Sequence, residues 1–411
     1  MQNTEKRPKM KSMNLSVMLI MLVTVLTAPL AVAETYNVTS TSISGPGSFL
    51  EAIDMANNNP GPDIIEFTDG LQVDASTGVD NKSPFLASIT DPVVIDGKGG
   101  ALLGIQQWVS VGGILNPLTD CPSTSKGDVI IALMPGFIEV GNFNQDNSDI
   151  QVTVKNLKIE QFDRVAEVSK NASLTLENFT AVDIWKTRSC GGDSVIGVTE
   201  GSLTIKQSFF GDSTNWRFLG TGTSINGFGG DLTIEGSIFQ GMGQAAFSEL
   251  NEQWAILWNG DAGSVVNIVS SRFKESGAVV VGGESVTNIV NTLWVNNDIG
   301  EPDLVDRFLN QSSGDMNVVA SSFVWNSPEC DRDCEAFNYE GLFERQGVGK
   351  INLKESAFGF NFDSVTTGRD FLPILADLGG VGGFTADQYT WMQPTPGQDA
   401  SALKFITAVS Y

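Results

Sequence analysis

The chain has 411 residues, 44 of them glycine, no histidine, and a formal charge of −24. That acidity argues against nucleic acid or anionic lipid as the main partner. The missing histidine excludes histidine-based acid–base and triad catalysis.

Lys6, Arg7, Lys9 and Lys11 form a basic start, an apolar run follows from Leu15 to Ala28, and Ala31-Val32-Ala33 closes it. This is the pattern of a signal peptide cleaved after Ala33. A membrane anchor would need about 20 apolar residues, and Thr24, Thr27 and Pro29 interrupt this run. Its loss removes four basic groups against one acid, Glu5. The mature chain is then more acidic still, and no later segment is long and apolar enough to span a bilayer. A secreted protein, extracellular or on a bacterial cell surface, is expected.

Next comes Ser44–Phe67. Ser48 and Glu51 form a Ser-x-x-Glu capping box, and Phe49, Ile53 and Ala56 give the helix they start an apolar face. Asn57-Asn58-Asn59-Pro60 ends the helix, and Asp63–Phe67 begins a strand. "DPVVIDGKGG" (91–100) reads as a further strand with a glycine-rich corner.

From there one word recurs: apolar, x, apolar, two or three residues, small, x, aromatic. It stands as LTIKQSFF (203–210), LTIEGSIF (232–239), VNIVSSRF (266–273), TNIVNTLW (287–294), MNVVASSF (316–323) and INLKESAF (351–358). Looser copies are VTVKNLKI (152–159) and LTLENFTA (174–181). Its alternation has the strand period of two. A second apolar stretch precedes several copies at a constant distance: Val195 lies eight residues before Leu203, and Val279, Phe308 and Phe343 lie eight before Thr287, Met316 and Ile351. Asn297, Asn326 and Asn361, each three residues after an aromatic, read as turn formers. The tightest repeat, 266 to 287, is 21 residues, enough for three short strands and three corners but too short for a propeller blade of about 40. Such a unit buries its apolar side chains only by stacking on its neighbours. The expected fold is all-β, a right-handed parallel β-helix. The helix caps its exposed first edge, which would otherwise invite pairing with other chains. Residues 1–33 are the signal peptide, 34–130 the cap and first coils, 131–365 the repeats, and 366–411 a C-terminal cap or anchor-like tail.

Gly45-Pro46-Gly47-Ser48, Ala52-Ile53, Pro60-Gly61-Pro62-Asp63 with Ile65 and Phe67, and Pro92–Gly97 resemble the opening of bacterial secreted right-handed parallel β-helix surface proteins of the pectate-lyase-like superfold. Leu375–Gly380 resembles the start of their choice-of-anchor tail. Leu50 stands where such proteins usually carry a basic residue and Leu378 where they carry a polar one. The resemblance implies the fold and a surface location; it does not specify an activity.

The insertions between repeats, 184–194, 212–222, 242–254, 297–306 and 326–341, fall at one corner, which near 276–278 is almost bare. Loops stacked on one corner form a continuous surface, the usual working face of a solenoid. They carry aromatic residues, Trp216, Trp254, Trp258, Trp325 and Tyr339, which suit stacking on sugars or anchoring an interface; Trp254 and Trp258 have packing of the loop onto the column as their alternative. They also carry acids. Asp298, Glu301, Asp303 and Asp306 are candidate Ca²⁺ ligands, with solvated charge as the alternative. Of the four cysteines, Cys330 and Cys334 can close a small loop, leaving Cys121 with Cys190; three pairings exist. The expected role is non-catalytic adhesion or binding to a polysaccharide or cell-surface ligand. The alternatives are a polysaccharide lyase or glycoside hydrolase, and a structural spacer. A glycosidase needs two carboxylates about 5 to 9.5 Å apart; Lys206, Glu235 and Lys354, read as lying near strand starts, offer no consistent pair. Arg217, Arg307 and Arg345 are conceivable bases for a lyase.

Overall fold

The computed structural model describes residues 33–76, 85–104, 136–142, 147, 150–162, 164–184, 194–211, 224–241, 254–274, 276, 278–295, 308–310, 312–324, 343–345, 348–359, 375–377, 384–387, 390–393 and 404–407. Among them the α-helix is α1 (Phe49–Asn58), and nearly everything else regular is parallel strand.

The strands form three parallel ladders. The first runs through Thr35–Val38, Asp63–Phe67, the starts of Val93–Leu103 and Gln151–Glu160, then Ser173–Glu177, Ser202–Lys206, Leu232–Glu235, Val265–Val269, Val286–Val290, Met316–Val319, Ile351–Lys354 and Phe384–Asp387. The second runs through Gln72–Asp74, the ends of the same two long strands, then Thr180–Val182, Phe209–Gly211, Ile238–Gln240, Arg272–Lys274, Leu293–Val295, Ser322–Val324, Ala357–Gly359 and Thr390–Gln393. The third holds Phe85–Ile89, Gly136–Val140, Ala166–Val168, Ile196–Thr199, Ile225–Phe228, Trp254–Gly260, Ala278–Gly283, Phe308–Asn310, Phe343–Arg345 and Leu375–Asp377. From Ser173 onward each strand pairs with the strand three places along, so every round of the chain lies on the one before. The antiparallel pairing described is Thr390–Gln393 with Lys404–Thr407.

The recurring word is one first-ladder strand, a corner and one second-ladder strand. Its corner is a single residue in the left-handed region: Asn156, Asn178, Gln207, Gly236, Ser270, Asn291, Ala320 and Glu355 in successive copies, with φ between 48° and 59°. Asparagine and glycine adopt this backbone readily; alanine and glutamate do so at a cost of about 1–2 kcal/mol. The turn formers expected at Asn297, Asn326 and Asn361 lie outside the described residues. "DPVVIDGKGG" differs from its reading: Val93–Leu103 is one strand that serves two ladders, with its register shift between Asp96 and Gly100.

From Gln207 onward a buried hydroxyl follows the left-handed residue, where Leu157 and Phe179 stand in the two earlier copies. Ser237 Oγ donates to Glu235 O at 2.9 Å and accepts the N–H of Ser208, one round earlier, at 3.1 Å. Ser208 does the same for Phe179, Ser271 for Ser237, Ser321 for Thr292 and Ser356 for Ser321. The "small" position of the word is thus a column of hydroxyls that satisfies backbone N–H groups which burial would otherwise strand.

Inside runs a column of rings. Phe210, Phe239, Phe273, Trp294 and Phe323 occupy equivalent positions of successive strands. The centroids of Phe210–Phe239, Phe239–Phe273 and Phe273–Trp294 are 5.1, 4.7 and 3.8 Å apart, with planes within 7° of parallel. Toward the N-terminus the row continues through Phe179 and Phe137 to Phe49 of α1.

The helix begins with one half of its capping box, the N–H of Ser48 itself going to Gly45 O at 3.1 Å. Ser48 Oγ accepts the N–H of Glu51 at 3.2 Å, and Glu51 Oε2 accepts that of Gly47 at 2.6 Å. Phe49, Ala52, Ile53 and Ala56 are buried. Asn57 fixes the far end, giving its amide to Ser88 O and taking the N–H of Thr90, both at 2.8 Å.

Candidate functional site

The ladders assign every insertion to a corner. Residues 185–193, 212–223, 242–253, 296–307 and 325–342 each follow a second-ladder strand and precede a third-ladder strand. The same holds for 77–84 and 105–135, absent from the sequence-based set, and for 360–374. Cys121 therefore sits in a segment rooted at the same corner as those of Cys190, Cys330 and Cys334; all four lie outside the described residues. In one round the connection shrinks to 275–277.

The roots of these segments are tied from round to round. Asp183, left-handed at φ 52°, donates its N–H to Gly211 O at 3.2 Å, and Gly241 donates to Lys274 O at 3.0 Å. On the return side Ser194 and Ser224 are buried, and Ser224 O accepts the N–H of Ile196 at 2.9 Å. A loop can thus lengthen without breaking the pairing on either side of it.

Of the expected aromatic residues, Trp216, Trp325 and Tyr339 lie outside the described residues, as do Asp298, Glu301, Asp303 and Asp306. Trp254 opens a third-ladder strand, and its side chain is outside the described set. For Trp258 the structure decides against the binding reading and for packing onto the column. The residue is fully buried, its indole N–H donates to Gly230 O at 3.2 Å, and its ring fills the space that the missing side chain of Gly227 leaves in the adjacent strand. The strand alternation puts it inward beside Ile256, so packing onto the column is its role. Lys206, Glu235 and Lys354 also differ from their reading: they end first-ladder strands, where Lys206 and Glu235 are lateral neighbours. Among the described residues no group of three or more acids is placed to hold a metal ion.

Two outward stripes border the corner or face away from it. On the second ladder Phe209, Ile238, Arg272 and Leu293 are successive lateral neighbours pointing outward, with Ile238 43% exposed. They are the x of the Ser-x-aromatic word, and one word in isolation does not reveal that they align. On the first ladder Thr175, Thr204 and Thr233 lead into Asn267, Asn288, Asn317 and Asn352. The asparagine amides bond one another at 2.8–3.0 Å, which accounts for them structurally.

No protein-family model matches the sequence, and no curated protein does. Among solved structures the chain is similar to an alginate lyase from Paenibacillus sp. str. FPU-7 (12% identity, TM-score 0.36, covering 86% of this chain and 98% of that one). It is similar to PfbA, a surface adhesin of Streptococcus pneumoniae (11%, TM-score 0.43, 92% and 100%). It is also similar to the catalytic unit of a thermostable GH87 alpha-1,3-glucanase from Streptomyces thermodiastaticus strain HF3-3 (11%, TM-score 0.35, 89% and 70%).

Proposed function

We propose that this is a secreted right-handed parallel β-helix protein, capped by α1, that binds a polysaccharide or other cell-surface ligand without transforming it. The observation that carries the reading is the gathering of most long connections at the corner between the second and third ladders, 141–150 between the third and first being the exception. A spacer has no use for such a surface, and loops carried on a rigid column are the usual seat of recognition. The stripe Phe209–Ile238–Arg272–Leu293 runs beside the loop roots and offers apolar contact with one cation, chemistry that suits the face of a sugar chain. Trp216, Trp325 and Tyr339 would extend it, Asp298, Glu301, Asp303 and Asp306 would hold Ca²⁺ where binding needs it, and disulfides Cys330–Cys334 and Cys121–Cys190 would stiffen the loops.

The test is binding of the exported protein to a panel of neutral and acidic polysaccharides, with and without Ca²⁺. Retention of a polysaccharide is expected, weakened by Ile238→Asp and by Trp216→Ala. Unsaturated sugar products absorbing near 235 nm would instead establish a lyase and overturn the non-catalytic assignment.

A further inference from the structure

Asp63 opens a first-ladder strand and is only 1% exposed, a rare position for an unpaired acid. Its Oδ1 accepts the backbone N–H of Glu34 and the side-chain amide of Asn59, both at 2.8 Å. Its Oδ2 is buried and has no hydrogen-bond partner. A buried carboxylate served by two neutral donors, with one oxygen unmet, is costly.

The surroundings raise that cost. Tyr36, on the neighbouring strand, donates its hydroxyl to Glu34 Oε2 at 3.0 Å. Burial, then that bond, then the charges of Asp63 and Glu34 push the phenol up to about 12. Asp91 accepts the N–H of Gly61 at 2.8 Å, yet burial and the charge of Asp63 hold its carboxyl above the usual range. No described lysine or arginine forms an ion pair with Glu34, Asp63 or Asp91. The fold therefore gathers negative charge around a nitrogen, that of Glu34, which as an amide has none to set against it.

We infer that the missing partner of Asp63 is the chain's own α-ammonium, created at Glu34 when the Ala33–Glu34 peptide bond is hydrolysed. The inference rests on the export reading above, and deepens it by giving the cut a structural purpose. Water adds across the bond under a signal-peptidase-type endopeptidase, leaving a carboxylate on Ala33 and an ammonium on Glu34. That nitrogen is already 2.8 Å from Oδ1. Hydrolysis gives it a positive charge and two further protons to offer the carboxylate. Glu34 stays in place because its carbonyl accepts the N–H of Ile64 at 2.8 Å, and it is exposed, so a protease can reach it. A cut one residue earlier would keep an amide at Glu34 and leave Oδ2 unmet.

The experiment has two arms. In the first, the full chain is exported from a bacterium and its mature N-terminus is read by intact mass and N-terminal sequencing, with Glu34 expected. In the second, urea unfolding compares the protein beginning at Glu34 with an N-acetylated form and with one that keeps Ala33. The blocked forms are expected to have an unfolding equilibrium about tenfold or more toward the unfolded chain, and Asp63→Asn should abolish the difference. Pairing with Asp63 would favour the charged form of the ammonium in the fold. Its contribution is therefore complete below the ordinary α-amino range of about 7.7–8.0 and disappears as pH rises through the folded value. A Glu34 terminus with equal stability in free and blocked forms would overturn the pairing and leave export standing. So would recovery of the blocked form by added Ca²⁺, which would assign Oδ2 to a metal. A mature terminus elsewhere would overturn the pairing alone, and recovery of the uncleaved chain would overturn both.

Discussion

The corner between the first and second ladders and the corner between the second and third are made by the same chain under opposite rules. From Gln207 onward the first is crossed with one left-handed residue and a buried hydroxyl, and each hydroxyl is bonded to the round beside it. Any change there is felt in two rounds, so the sequence repeats. At the other corner the described roots are tied through Asp183, Gly211, Gly241 and Ser224. Between roots the connection spans 275–277 in one round and 105–135 in another. Entropy of loop closure rises only slowly with length, so this corner is where a solenoid can acquire recognition without losing its column.

Substitutions can break or sharpen that contrast. The largest effect is expected inside the column. Phe239→Ala removes a ring stacked between Phe210 and Phe273 and should lower the stability read by urea unfolding by about 3–5 kcal/mol. At the tight corner, Ser237→Ala strips the N–H of Ser208 of its acceptor and should cost about 1–3 kcal/mol by the same measurement. Ala320→Gly works in the other direction. It relieves a left-handed alanine at φ 49° at some cost in unfolded-chain entropy, and should raise stability by up to about 1 kcal/mol. Replacing 242–253 by a connection as short as 275–277 should change stability least, by under about 1 kcal/mol, while reducing polysaccharide retention. A large loss of stability from that trimming would erase the distinction between the corners.

The repeat word was legible in the sequence because each of its positions has a fixed physical task. Leu203 and Ile205 face the core, Ser208 caps a backbone N–H, and Phe210 joins the ring column. The capping box at Ser48 and Glu51 was legible for the same reason. The left-handed residue between the strands was not, since Gln207, Ala320 and Glu355 carry no mark of that conformation; only Asn156, Asn178, Asn291 and Gly236 hint at it. Trp258 carried two readings because a tryptophan near an insertion looks the same whether it points out or in, and only register over Gly227 decides. The rooting of 105–135 at the shared corner was hidden because Val93–Leu103 passes through two ladders without the usual word. Asp63 reads in the sequence as the first residue of a strand, which it is; its burial against Glu34 is a product of stacking alone.

The central claim is that successive rounds stay in register whatever leaves at the open corner. Paired cysteines on the outward first-ladder face test it through bridging by dibromobimane, mapped by peptide mass. Thr233→Cys with Asn267→Cys spans the insertion 242–253, and Asn267→Cys with Asn288→Cys spans the bare round; both pairs are direct lateral neighbours. With strands about 4.8 Å apart in each case, both pairs should bridge at comparable rates. Bridging of the second pair but not the first would show that the insertion displaces the stack, and would contradict the account.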